Sequence, residues 1–125
     1  GLENVLRRHA LLAEGVRRGI EGMGLELFAD ARAASNSVTA VRVPPEVDAM
    51  AFLKTARESY RVILGGGMGK LEGKIFRIGH MGYLNKSEAL AIIAAVEMSM
   101  ARCGAHIELG GGVRACQKVF LAAAT

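Results

Sequence analysis

"GKIFRIGHMGYLNKSE", residues 73–88, sets a single arginine, Arg77, inside an apolar run that reads as a β-strand. Successive strand side chains point to opposite faces of a sheet. Phe76 and Ile78 therefore share one face, and Arg77 shares the other with Ile75 and Gly79. A charge at that place must reach water, a counter-ion or a ligand, because an unpaired buried charge is very costly. Asn85 and Glu88 have the spacing of a capping box, so the stretch ends by opening a helix, which Gly104 closes.

On the N-terminal side, residues 2–23 carry a helical stripe: Leu2, Val5, Leu6, His9, Leu12, Ala13, Val16, Ile20 and Met23, spaced three and four apart. The other side holds Arg7, Arg8, Glu14, Arg17, Arg18 and Glu21, with Glu14 and Arg18 at a favourable i,i+4 offset. Gly15 and Gly19 weaken the helix locally and let another element come close. "LELFA" (25–29) is a short strand candidate, and residues 31–37 read as a loop. "VTAVRV" (38–43) is β-branched and predicts a strand that Pro44 and Pro45 stop. Asp48 is placed as N-cap of a second helix running to about Ser59, with Val47 and Phe52 forming a hydrophobic staple. "RVIL" (61–64) predicts the next strand, and "GGGMGKLEGK" (65–74) a loop before the strand of Arg77. The third helix is apolar on most sides from Ala89 to Val96, which predicts cover on more than one face. A final helix runs over about 111–123.

The order α-β-β-α-β-β-α-α predicts one α+β domain over residues 1–125, a small, mostly antiparallel sheet with helices on one face. Arg77 then points out from the other face, and a face left bare needs a partner.

Composition narrows the classes. The chain has 125 residues, 51% of them apolar, and can bury a core. Its net charge of +4 comes from scattered basic residues, which argues against a nucleic-acid groove. Two cysteines, Cys103 and Cys116, are too few for a disulfide framework and read as buried thiols of an intracellular, cytoplasmic protein. The sequence has no signal peptide, and its longest apolar run, "ALAIIAAV", is too short to cross a membrane. It opens on Gly1 rather than Met, and we expect it to be part of a longer protein.

Several motifs invite chemistry. The glycine run resembles a phosphate loop, but Gly65 to Gly69 is one residue short of the required spacing and Leu71 stands where Ser or Thr would bind magnesium. It reads as a flexible loop, or as a mobile loop beside a ligand site. His9 reads as a packed core or interface residue. His80 stands where it can shape a site, although a backbone hydrogen bond is its plainer role. Cys103, His106 and Cys116 match no common zinc spacing, and no metal is predicted. "GGGVR" (110–114) offers backbone N–H groups at a helix start, either an anion seat or a tight turn between helices. Arg77 is the best functional candidate, because a guanidinium matches a carboxylate through two parallel hydrogen bonds. Pattern alone leaves two partners open for it: a ligand carboxylate, or a neighbouring Asp or Glu.

"LRRHALLAEGVRRGIEGMGLELFA", "ESYRVILGGGMGKLEGKIFRIGHMG" and "IELGGGVRA" together span nearly the whole chain. They resemble the C-terminal small domain of class V pyridoxal-phosphate aminotransferases, of fold type I. The resemblance is closest to the alanine–glyoxylate and serine–pyruvate group, which includes proteins described as small subunits of a soluble hydrogenase. It implies that Arg77 binds the substrate's α-carboxylate and that Gly65, Gly66, Gly67, Met68 and Gly69 lie near the active-site entrance. It implies pyridoxal 5'-phosphate in the parent enzyme, bound by a large N-terminal domain that this sequence lacks, and a homodimeric parent. Lys54, Lys70, Lys74, Lys86 and Lys118 do not resemble the Schiff-base motif, so this chain alone is expected to be inactive, with no catalytic residue and no cofactor of its own. The expected function is to orient a small amino acid or 2-oxo acid, such as alanine, serine, glyoxylate or pyruvate. Two alternatives remain: a free-standing binding module for small carboxylates, and a structural subunit of a hydrogenase-like complex.

Overall fold

Helix α1 spans Leu2–Gly22 and buries Leu12, Ala13, Gly15, Val16, Gly19 and Ile20. Its apolar stripe is only half used: Leu2 is 76% exposed and Leu6 57%, so the packed face begins about Leu12. The ion pair expected between Glu14 and Arg18 forms at 3.4 Å. Gly15 and Gly19 are where other helices close in. A Cβ on Gly15 would press into the Phe120 ring, and one on Gly19 would come within 2.9 Å of Ile93. The computed structural model describes residues 1–28, 38–79 and 85–123.

Three strands follow in the order β1-β3-β2. Strand β1 is Val38–Arg42, β2 is Gly65–Gly66 and β3 is Ile75–Gly79. Both pairings are antiparallel, with Ala40 and Gly65 each opposite Arg77. Val41, Phe76 and Ile78 join Leu12, Val16, Ile20, Ile93, Val96 and Phe120 in one core. The helices therefore cover the Phe76 face, as the alternation predicts. Phe76 meets Phe52 there, with ring centroids 4.7 Å apart. Ile75, on the Arg77 face, is buried but lies outside that core cluster.

Helix α2, Ala49–Tyr60, starts as predicted: Asp48 Oδ1 accepts from the N–H of Met50 at 2.9 Å and of Ala51 at 3.2 Å. Val47 and Phe52 are both buried beside it. Helix α3, Lys86–Arg102, is capped by Asn85, whose Oδ1 accepts from Glu88 N–H at 2.8 Å. It packs against α1, α2 and a last helix, α4, Gly111–Ala122, which explains its wide apolar arc.

One predicted strand fails, and another is reduced to a bridge. "RVIL" does not pair, because α2 ends in a turn that occupies its first residues. Arg61 adopts φ 59, and Val62 N–H donates back to the Ala56 carbonyl at 3.0 Å. Ile63 is left 84% exposed, and pairing starts only at Gly65, so β2 lies inside the run read as a loop. "LELFA" shrinks to one bridge, Leu27 to Val41, among the described residues. Its flanking bonds, Phe28 N–H to Ala40 and Arg42 N–H to Glu26, both at 2.9 Å, pair a single turn of extended chain with β1. The expected loop at 31–37, and His80, lie outside the described residues.

Candidate functional site

Arg77 stands on the central strand with the smallest possible neighbours, Ala40 on one side and Gly65 on the other. It is half-buried on the face turned away from the helices. Its Nε donates to the Gly66 carbonyl at 3.0 Å. A Cβ on Gly65 would lie 3.0 Å from its Nη2 and 3.3 Å from both Cζ and Nε. Such similar distances mean that the guanidinium plane faces Gly65, over the edge strand.

Among the described residues no carboxylate pairs with Arg77. Glu3, Glu14, Glu21, Glu26 and Glu58 pair with Arg7, Arg18, Arg42 and Arg57. Asp48 caps α2. A structural ion pair was one of the two partners left open for Arg77, and it is not made within these residues. The other N–H groups of the fork keep their capacity for a planar oxyanion.

The glycine run beside it is more ordered than a flexible loop. Gly65 and Gly66 are β2, and Gly69–Leu71 is a single 3₁₀ turn. Gly67 N–H donates to the Ile75 carbonyl at 3.1 Å, and a Cβ on Gly67 would collide with the Leu71 carbonyl. The run thus folds back over Ile75, while Met68 stays 75% exposed.

The anion seat at "GGGVR" is occupied by the chain itself. Glu97 of α3 is 4% exposed. Its Oε1 accepts from Gly110 N–H at 2.8 Å, and its Oε2 from Gly112 N–H at 2.8 Å and Val113 N–H at 3.1 Å. Sequence reasoning missed this carboxylate. The available signal was one acid inside "AIIAAVEMSM", on a helix expected to be covered on most sides.

Cys116 is fully buried, which pushes its thiol up to about 11, so at neutral pH it is no nucleophile. His106 is exposed, and among the described residues no three His, Cys, Asp or Glu side chains converge as metal ligands do. His9 is half-buried on α1. All five lysines are exposed. A cleft of about 600 Å³ lies between Gly24, Arg42, Pro45 and Lys74, and Arg77 does not line it. The arginine of that cleft, Arg42, is already paired with Glu26 at 3.8 Å. No helix among the described residues is long and apolar enough to cross a membrane.

No protein-family model matches the chain. It is 46% identical over 121 residues to the L-aspartate–glyoxylate aminotransferase of Paracoccus denitrificans, covering 96% of this chain and 31% of that protein. The crystal structure of pyridoxamine–pyruvate aminotransferase from Mesorhizobium loti superposes with a TM-score of 0.93 at 39% identity, over 99% of this chain and 32% of that one. A soluble hydrogenase small subunit from Synechococcus is 34% identical over 96% of this chain and 31% of its own length. The chain matches a C-terminal domain of class V aminotransferases. It spans about a third of the length of these curated relatives.

Proposed function

We propose that this chain is the substrate-orienting domain of a pyridoxal-phosphate-dependent aminotransferase that exchanges an amino group between small amino acids and 2-oxo acids. Alanine or serine would be the donor and glyoxylate or pyruvate the acceptor. Arg77 receives the substrate's α-carboxylate, and the run Gly65, Gly66, Gly67, Met68 and Gly69 borders the entrance. The observation that carries this reading is the fork of Arg77, tethered through Nε alone and free of any carboxylate among the described residues. A cation held half-buried on a rigid strand fixes a carboxylate with little loss of entropy.

The described residues do not fit pyridoxal phosphate. A Schiff base needs a lysine sheltered beside the cofactor ring, and every lysine here is exposed. In this reading the cofactor belongs with a large N-terminal domain of the same polypeptide, in a homodimeric, cytoplasmic parent, and residues 1–125 alone are inactive. The lengths of the relatives, about three times that of this chain, support a multidomain parent over a free-standing binding module. The likeness to a soluble hydrogenase small subunit favours a second reading, a subunit of a hydrogenase-like complex. Co-purification with redox-active subunits would distinguish it.

Arg77→Ala in the full-length protein is expected to lower kcat/KM for serine and glyoxylate by about 1.5–3 kcal/mol, the worth of a charge-assisted hydrogen bond. Steady-state kinetics that leave kcat/KM at the wild-type value refute the role.

A further inference from the structure

The bonding of Arg77 goes further than the identity of its ligand. An arginine fork offers a carboxylate two bidentate approaches: side-on through Nε and one Nη, or end-on through both Nη atoms. Here Nε already donates to Gly66 at 3.0 Å. The guanidinium also lies face-down over Gly65, where an added Cβ would stand only 3.0–3.3 Å from it, a contact tight enough to push the fork aside by a few tenths of an ångström. Strand alternation gives the two glycines different duties. A Cβ on Gly66 would point to the helix side, 3.4 Å from Leu53, while one on Gly65 would point at Arg77.

We infer that Gly65 and Gly66 are positioning residues for Arg77: the Gly66 carbonyl holds Nε, bare Gly65 seats the guanidinium plane, and the substrate carboxylate is received end-on by Nη1 and Nη2. The inference rests on the carboxylate role of Arg77. It also gives the glycine run a reason beyond flexibility. A side chain at position 65 lifts the fork off the edge strand and turns the whole substrate with it. Gly65 has no positive φ, so an added methyl strains the seat rather than the backbone.

The test uses the full-length protein with glyoxylate and pyruvate as probes. Gly65→Ala should raise KM for both acceptors about tenfold, Gly65→Leu should raise it further, and kcat should fall less than KM rises. A merely structural role for Gly65 would lower both parameters and track the loss of thermal stability. In the wild-type protein, NMR of arginine Nε–H groups should show Arg77 exchanging with solvent more slowly than exposed Arg7, whatever the fate of the variants. Equal exchange rates for Arg77 and Arg7, or a Gly65→Ala enzyme with wild-type KM, would overturn the inference. Arg77→Ala separates the two levels. If it leaves KM for glyoxylate unchanged, the carboxylate reading itself has failed. If it raises KM while Gly65→Ala does not, only the seat has failed.

Discussion

Arg77 and Glu97 are opposite solutions to a charge held away from open water. Among the described residues Arg77 makes one bond, to the Gly66 carbonyl, and the rest of its fork is open. Glu97 is closed: three backbone N–H groups at the start of α4 satisfy both its oxygens. That closed cluster ties α3 to α4 and answers the unpaired donors of a helix start. Glu97→Ala should destabilise the fold by about 2–4 kcal/mol, because three donors lose a charged acceptor in a buried place. Glu97→Gln, which keeps one acceptor oxygen, should cost clearly less. Urea unfolding compares them, and equal loss in both variants would show that packing rather than acceptance is at stake. Arg77 was legible from the sequence because strand alternation is local. Glu97 was not, because its partners lie 13 to 16 residues away and are backbone groups, which leave no residue-type signature.

Elements were legible where one residue fixes the boundary. Asp48 and Asn85 cap α2 and α3 as their spacing predicts, because a cap is a contact over two or three residues. Asp48→Ala should cost about 1 kcal/mol, read as a lower midpoint in thermal unfolding. An unchanged midpoint would mean that Val47 and Phe52 alone anchor the start of α2. Strands were harder. "RVIL" has the composition of a strand, yet the turn that ends α2 takes Arg61 and Val62 out of register. "GG" has the composition of a loop, yet it pairs with Arg77 and Phe76 because the edge of β3 is open there. Strand formation depends on which neighbour has free backbone groups, and a single sequence does not record that. The stripe of α1 shows the same limit, since periodicity marks a face without saying how much of it this domain covers.

At the scale of the molecule, the helices and sheet form one layered α+β unit, with Arg77 on the sheet face turned away from the helices. The family motifs carried the fold class correctly past the misplaced "RVIL" strand, because they span the chain while that error is local. The relatives that match nearly all of this chain are about three times as long. The proposed role makes Arg77 half of a site that further polypeptide would complete. The most direct measurement is a crystal structure of the full-length protein with a small amino acid or 2-oxo acid bound. The ligand carboxylate is expected within hydrogen-bonding distance of Arg77 Nη1 and Nη2, with Nε still on the Gly66 carbonyl. A ligand carboxylate held elsewhere, with Arg77 paired to an acid of its own protein, would contradict it.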